Sequence, residues 1–291
     1  MENFFALIIG VGGDLAATAE DASAIKNLLC DPQKGGYDPK NVEFLVNEFS
    51  TKKNVISSLD KIISKTEKLA KATVVVYYSG HGLQIPDDDD PEKKEYFLKT
   101  AGADKTKKEE TMLNGDLFSA KIKKIKADKL LILLDCCHAD GMKRRKISDL
   151  EDMVVEEQSS NRGLLEKLTS GEGRVFISAC DDNEESVILP GSKNSLFTEV
   201  CLEVFDGKLS PSDEFVSVVD LMYYIIKEVP KRVLPFHHTQ RPIITEVQHL
   251  SPDYFVCRNG NYKPGRADLE DFVSDDSAER LDFIRDYDNK I

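Results

Sequence analysis

Two short motifs decide how this sequence is interpreted: Y-S-G-H-G at positions 78–82 and L-D-C-C-H at positions 134–138. A run of apolar residues leads into each motif. Continuous apolar runs of about five residues are typical of parallel strands that are buried on both faces. Functional groups in open α/β sheets gather at the carboxyl ends of such strands. We therefore expect His81 and Cys137 to lie at the same edge of one sheet, on neighbouring βα units.

The rest of the chain alternates between strand and helix patterns, which indicates a mainly parallel sheet with helices on both faces. Thr18 is predicted to cap the first helix. The predicted strands are 4–9, 42–45, 74–78, 130–134, 174–179 and 242–245. The predicted helices are 18–29, 53–71, 115–126, 196–205 and 216–229. The segments 85–108 and 142–172 are predicted loops, the first with a short hairpin near residues 96–98, and 267–291 is predicted to be a peripheral helix or a mobile acidic tail.

Composition excludes several classes of protein. The chain has 291 residues with 41% hydrophobic residues, enough to bury a core as one large domain or two small ones. Its net charge of −13 argues against a general nucleic-acid binder. No apolar run approaches the roughly 20 residues of a membrane span, and the N-terminus lacks the basic start of a signal peptide. We therefore expect a cytoplasmic protein, whose six cysteines are not a disulfide framework.

A cysteine and a histidine at one sheet edge predict a thiol nucleophile with an imidazole base. Because strand side chains alternate faces, only one of Cys136 and Cys137 should face the cleft. The two glycines around His81 would permit an unusual backbone path. The N–H groups of Gly82 and the nucleophile could form an oxyanion hole. Zinc is disfavoured, because consecutive Cys-Cys-His ligands rarely converge on one ion and no C-x-x-C motif accompanies them.

These motifs resemble the caspase-like clan of cysteine peptidases, in particular the metacaspases and their bacterial relatives. The histidine and cysteine motifs are about 55 residues apart, a separation similar to that of caspases. Further similarity lies at 5–22, in I-L-P-G at 188–191 and in S-L-F-T at 195–198, so that the resemblance covers about residues 3–260. It implies a caspase-like three-layer α/β sandwich with a mainly parallel sheet of about six strands. It also implies that His81 is the base and that Cys137 is the nucleophile.

The resemblance also implies a division of the chain and a specificity pocket. The parts would be a large-subunit-like segment 1–141, an intersubunit-like loop 142–172, a small-subunit-like segment 173–262 and the acidic tail 263–291. The metacaspase pocket residues fall on Asp21, Ser79 and Asp135. Two carboxylates at the cleft would bind Arg or Lys before the scissile bond (position P1) by charge-assisted hydrogen bonds. The alternative interpretation is a helix carboxylate for Asp21 and a strand-end cap for Asp135.

Two regulatory features remain open at the level of sequence. Many metacaspases need calcium, and acidic residues at 87–90 and Asp104 follow the histidine motif, although the motif spacing does not carry over. The alternative is a solvated acidic loop, which is what such acidic segments usually are, and no other cofactor is expected. The basic run at 143–146 would suit self-cleavage by an enzyme with a basic P1 preference, or it is a solvated loop. Asp140 departs from the family pattern, in which a small residue and then Gly follow the motif.

The sequence thus predicts a cysteine endopeptidase that cleaves after Arg or Lys. Its substrate would be a protein or peptide, a regulatory protein partner could control it, and neither nucleic acid nor membrane is expected as a partner. A regulated role in bacterial defence or stress signalling is compatible with this prediction. The alternative from another class is a protease-shaped scaffold or signalling module that cleaves nothing. The presence of both His81 and Cys137 favours the enzyme, because a scaffold has no chemical need for either residue.

Overall fold

The fold is seen in a computed structural model of the 291-residue chain. The structure describes residues 1–13, 16–87, 90, 93–138, 173–181, 184–209, 213–244, 250, 253–262, 280–281 and 283–284, with positions 137 and 138 described by their backbone. The predicted loop 142–172 and most of the acidic tail lie outside the described residues.

A twisted sheet forms the centre of the molecule. Its strands are β1 (Phe4–Gly10), β2 (Val42–Val46), β3 (Thr73–Pro86), β4 (Lys94–Leu98), β5 (Leu113–Asn114), β6 (Lys129–His138), β7 (Arg174–Ser178) and β9 (Ile243–Ile244). The main order is β2-β1-β3-β6-β7-β9, in which the first five strands are parallel and β9 is antiparallel. Strands β4 and β5 extend the sheet from β3, and β8 (Phe215–Ser217) pairs with β10 (Phe255–Arg258) separately.

Helices cover both faces of this sheet, which makes a three-layer sandwich. One face packs against α1 (Ala16–Cys30), α5 (Leu196–Phe205) and α6 (Val218–Val233), and we call it the pocket face. The other face packs against α2 (Lys52–Thr66) and α4 (Gly115–Lys124), and we call it the back face. The one-turn helix α3 (Lys108–Thr111) lies between β4 and β5. The apolar runs of the central strands are buried on both faces, so residue parity decides which face each side chain enters.

The two central strands are longer than the sequence predicts. The apolar patterns end at positions 78 and 134, but β3 continues to Pro86 and β6 continues to His138. The predicted end of each strand at its motif was therefore wrong. Pairing is the reason, because β3 and β6 stay in parallel register from Thr73 and Lys129 onward, and β4 pairs antiparallel with the extension of β3. The motif residues thus belong to the sheet itself.

Other differences are local. Thr18 does not cap α1, which begins at Ala16; its hydroxyl instead accepts a hydrogen bond from the Gly12 N–H at 2.8 Å. Helix α2 ends at Thr66, five residues before the predicted end, and the predicted hairpin near residues 96–98 is confirmed as β4. No helix among the described residues is long and apolar enough to cross a membrane.

Candidate active site

His81 and position 137 lie opposite each other on the two central strands. His81 is in register with Cys137, and Ser79 is in register with Asp135, in the parallel pairing of β3 with β6. Adjacent strands in a sheet are about 4.8 Å apart, so the two backbones are direct neighbours. The His81 side chain is 94% buried, with 6% of its surface exposed. The structure therefore brings together the two positions that the sequence singles out.

The adjacent cysteine, Cys136, belongs to the back face. It is fully buried among the apolar side chains that pack against α2 and α4. Its carbonyl oxygen lies 3.8 Å from Cys180 Sγ. A thiol in this position cannot meet a substrate on the pocket face, which leaves Cys137 as the candidate nucleophile.

The glycines that flank His81 serve a different purpose from the predicted one. Gly80 and Gly82 both lie in extended strand backbone, so an unusual backbone path is not what they provide. A Cβ atom at Gly80 would lie 2.6 Å from Tyr78 Cζ, and one at Gly82 would lie 2.8 Å from Tyr96 Cζ. Both glycines are thus required because aromatic rings lie directly against the backbone on the back face. Gly82 pairs with β4 on one side and with β6 on the other. Its role as a donor to the oxyanion stays a prediction.

The three predicted pocket residues form one hydrogen-bonded cluster on the pocket face. The Ser79 hydroxyl donates a hydrogen bond to Asp21 Oδ2 at 3.2 Å. The side chains of Asp21, Ser79 and Asp135 are all fully buried. Asp21 lies on α1 and Asp135 on β6, so the cluster joins a helix to the sheet. Asp135 accepts side-chain hydrogen bonds from Ser186, Ser195 and Thr198, so its carboxylate also joins β6 to two distant segments of the chain.

Most of the remaining donors come from the start of α5. The Ser195 N–H donates to Asp21 Oδ1 at 2.9 Å, and the Ser195 hydroxyl donates to Asp135 Oδ2, so that one residue bridges the two carboxylates. Asp135 also accepts from Thr198 Oγ1 at 2.9 Å and from Ser186 Oγ at 2.8 Å. Asn194 Nδ2 donates to Asp21 Oδ1 at 2.9 Å. The positive end of the helix dipole at Ser195, the N-cap of α5, further stabilises negative charge here.

The sequence analysis did not predict a role for any of these four donor residues. Ser195 and Thr198 entered it only as part of the S-L-F-T similarity at 195–198. The available signal was Ser195 itself, a good N-cap residue directly before an apolar helix. A cap predicts the helix start but not which distant carboxylate it meets. Behind the cluster, burial and then the charges of Asp135 and Asp21 raise the pKa of the Cys201 thiol well above its ordinary value, so Cys201 stays neutral.

The residues named for calcium do not gather into a site among the described residues. Asp104 caps a short 3-10 helix and accepts from Thr106 N at 2.9 Å and Thr106 Oγ1 at 2.7 Å. Asp87 pairs with Lys93 at 3.3 Å. In the described parts of the chain, no group of three or more His, Cys, Asp and Glu side chains is placed to hold a metal ion. Positions 88 and 89 of the acidic run lie outside the described residues, so calcium binding stays a prediction.

Comparison with known proteins identifies the family. The family model for the caspase domain of peptidase family C14 matches residues 3–251. The chain belongs to this caspase family. The crystal structure of protein GSU0716 from Geobacter sulfurreducens is similar, with a TM-score of 0.56 and 19% identity over 89% of this chain and 98% of that one. At that identity the likeness supports the fold alone, and no curated protein matches in sequence. The caspase-like α/β sandwich predicted from sequence is thus confirmed, and membership of this family supports a caspase-type cysteine peptidase.

Proposed function

We propose that the protein is a cysteine endopeptidase that cleaves after Arg or Lys, with Cys137 as nucleophile and His81 as base. The observation that carries this proposal is the register of His81 opposite Cys137, beside the buried Asp21–Ser79–Asp135 cluster on the pocket face. This register supports the proposal, because nucleophilic catalysis requires a thiol within hydrogen-bond reach of an imidazole.

The reaction proceeds through an acyl-thioenzyme. His81 takes the proton of Cys137, and the thiolate attacks the carbonyl carbon of the scissile peptide. When the C–N bond breaks, the imidazolium gives its proton to the leaving amine. Water then attacks the thioester while His81 accepts its proton, which releases the acid product and regenerates the thiol. The N–H groups of Gly82 and Cys137 are the proposed donors to the oxyanion.

The carboxylates supply the proposed preference for a basic P1 residue. Asp21 and Asp135 share Ser195 as a donor, so a guanidinium or ammonium group that reached the cluster would meet two acceptors in one place. An acidic P1 side chain would be repelled by the same charges. Because both carboxylates are fully buried, substrate binding requires that neighbouring parts of the same chain first move aside. The proposal therefore includes an opening step, which a regulatory partner, calcium or cleavage could control.

A peptide panel tests this function. Fluorogenic peptides with Arg, Lys, Asp or Leu at P1 are incubated with wild type and with Cys137→Ala, with and without calcium. We expect cleavage after Arg and Lys that disappears in Cys137→Ala. Cleavage that survives in Cys137→Ala would exclude the proposed nucleophile, and equal cleavage after Asp would exclude the acidic pocket.

Self-processing within 142–172 follows from the same specificity, because Lys143, Arg144, Arg145 and Lys146 lie there. Intact-mass measurement of wild type and Cys137→Ala after incubation would detect it. We expect a cut after one of the four basic residues in wild type alone. A loop that stays intact in an active wild-type enzyme would contradict the processing step without affecting the peptidase proposal.

A further inference from the structure

Two phenol groups lie on the back face directly behind the histidine motif. Tyr78 is 1% exposed, and its hydroxyl lies 2.9 Å from the carbonyl oxygen of His81 and 2.7 Å from that of Lys99. The Lys99 N–H donates to the same His81 carbonyl at 2.9 Å. The backbone of His81 is therefore fixed by a side chain three residues earlier and by the segment after β4.

Tyr96 connects the histidine strand with the cysteine strand. It belongs to β4, its ring lies against Gly82, and its hydroxyl is 3.7 Å from Cys136 Sγ. Gly82 directly follows His81, and Cys136 directly precedes Cys137. One phenol thus contacts the neighbours of both members of the dyad. Burial and then Cys136 raise the pKa of Tyr96 well above its ordinary value, so the phenol keeps its proton.

The packing around these rings explains why the motif needs its glycines. With a Cβ at Gly80 or Gly82, the rings of Tyr78 and Tyr96 would have to withdraw from the strand. Each ring would then lose its hydroxyl contact with the backbone carbonyl or with the thiol behind the dyad. Catalysis by a thiol and an imidazole falls steeply when their positions change by even 1 Å.

We propose that Tyr78 and Tyr96 are positioning residues, which hold His81 and Cys137 in register from the back face of the sheet. Neither phenol touches the reacting atoms, so neither is a catalytic residue. The inference rests on the proposed function, because register matters in this way only if Cys137 and His81 react together.

Removal of each hydroxyl tests the inference. Tyr78→Phe and Tyr96→Phe keep the rings but remove the hydroxyl contacts. Tyr37→Phe is the matched control, since Tyr37 is 2% exposed and its hydroxyl donates to Val256 O at 2.6 Å, away from the dyad. The measurements are kcat and KM on an Arg peptide, the melting temperature, and the pH profile of Cys137 alkylation by iodoacetamide, resolved by peptide mass.

We expect Tyr78→Phe and Tyr96→Phe each to lower kcat by about three- to tenfold while KM changes less than about twofold. The midpoint of the alkylation profile should rise toward that of an ordinary thiol, near pH 8.5. Tyr37→Phe should lower the melting temperature and leave kcat and the alkylation midpoint unchanged.

The inference is overturned if both variants keep the wild-type kcat and alkylation midpoint while losing only stability, as the control does. Its failure is separable from failure of the proposed function. An active wild type with unshifted variants would refute the positioning role alone. A wild type that cleaves no peptide, but whose alkylation midpoint is low and rises in the variants, would refute the peptidase and support the positioning role. A wild type that cleaves no peptide and has an ordinary midpoint would refute both.

Discussion

At the scale of single residues, the cluster around Asp21 and Asp135 depends on hydrogen bonds that stabilise two buried carboxylates. An isolated charge costs several kcal/mol to bury, and a carboxylate that accepts several hydrogen bonds regains much of that cost. Asp135 accepts from Ser186, Ser195 and Thr198, hydroxyls of two segments far along the chain. The Asp135 carboxylate therefore connects β6 with both of these segments.

Substitution Asp135→Asn should remove the basic P1 preference. The amide replaces one acceptor oxygen by a donor and loses the negative charge. We expect kcat/KM for an Arg peptide to fall roughly 30- to 1000-fold, because one partner of a buried charge pair is lost. The Leu peptide should change far less.

Asp220→Asn is a matched control for this experiment, because Asp220 is also a buried carboxylate but lies in the first turn of α6. It should keep the wild-type ratio of Arg to Leu cleavage. Equal ratios in wild type and Asp135→Asn would show that Asp135 does not select the substrate.

Gly82→Ala should destabilise the protein through a clash. The new Cβ would lie 2.8 Å from Tyr96 Cζ, closer than real Cβ contacts allow. We expect a loss of about 1–3 kcal/mol in urea unfolding, typical of an overpacked core. In a Tyr96→Ala background the same change should cost much less, since the ring is gone. If the free-energy costs of Gly82→Ala and Tyr96→Ala simply add in the double variant, the contact between these two residues is contradicted.

Sequence reasoning named positions that the fold brings together, but it did not name their hydrogen-bond partners. His81, Cys137, Asp21, Ser79 and Asp135 could be predicted because motif and family similarity mark them. Ser186 and Asn194 could not, because their contacts join segments that only the folded chain brings together. The glycines were assigned to backbone freedom, whereas the rings that they accommodate come from positions 78 and 96.

At the scale of elements, strand length followed pairing rather than hydrophobicity. The apolar pattern predicts five-residue strands, but β3 has 14 residues and β6 has 10. Polar and glycine residues have weak strand preference, which context overrides. The extension of β3 pairs with β4 and β6, and the extension of β6 pairs with β3. Helix α5 was predicted with its correct bounds because its apolar pattern and its cap agree.

A charged cluster between α5 and α6 predicts a pH dependence of stability. Burial alone would raise the pKa of Glu203, but hydrogen bonds from Arg232, Lys208 and Tyr224 lower it from 4.5 to about 2. A carboxylate whose pKa is lower in the folded state stabilises that state above the unfolded pKa. This contribution should disappear as the pH falls from about 4.5 toward about 2.

Melting temperatures of wild type and Glu203→Gln between pH 7 and pH 2 would measure this effect. The variant should be less stable at pH 7, and its difference from wild type should shrink through that acid range. Glu48→Gln, at an exposed carboxylate, is the control and should follow wild type. A constant difference between Glu203→Gln and wild type at every pH would contradict the linkage.

At the scale of the whole molecule, part of the acidic tail packs against α6. Arg280 pairs with Asp220 of α6, Phe283 meets Tyr223 edge to face at 5.4 Å between ring centres, and Ile284 is 6% exposed. The described residues of this segment are helical, as one of the two sequence interpretations predicts. The tail thus covers apolar surface on the helix layer of the pocket face.

Arg280→Ala should destabilise the protein by roughly 3 kcal/mol, because it leaves the Asp220 carboxylate buried without this partner. Lys231→Ala is the comparison and should cost less than about 1 kcal/mol, because Lys231 is exposed and its partner Glu228 keeps its ion pair with Arg232. Denaturant unfolding of both variants measures the difference. If the two variants are equally stable, the tail does not contribute to the folded core.

Covalent trapping tests the central claim most directly. A peptide chloromethyl ketone with Arg at P1 is incubated with the protein, beside the same reagent with Asp at P1, and the modified residue is located by mass spectrometry. The account predicts one adduct, on Cys137, that forms much faster with the Arg reagent and is lost in His81→Ala. An adduct on another cysteine, or equal rates with the Arg and Asp reagents, would contradict it.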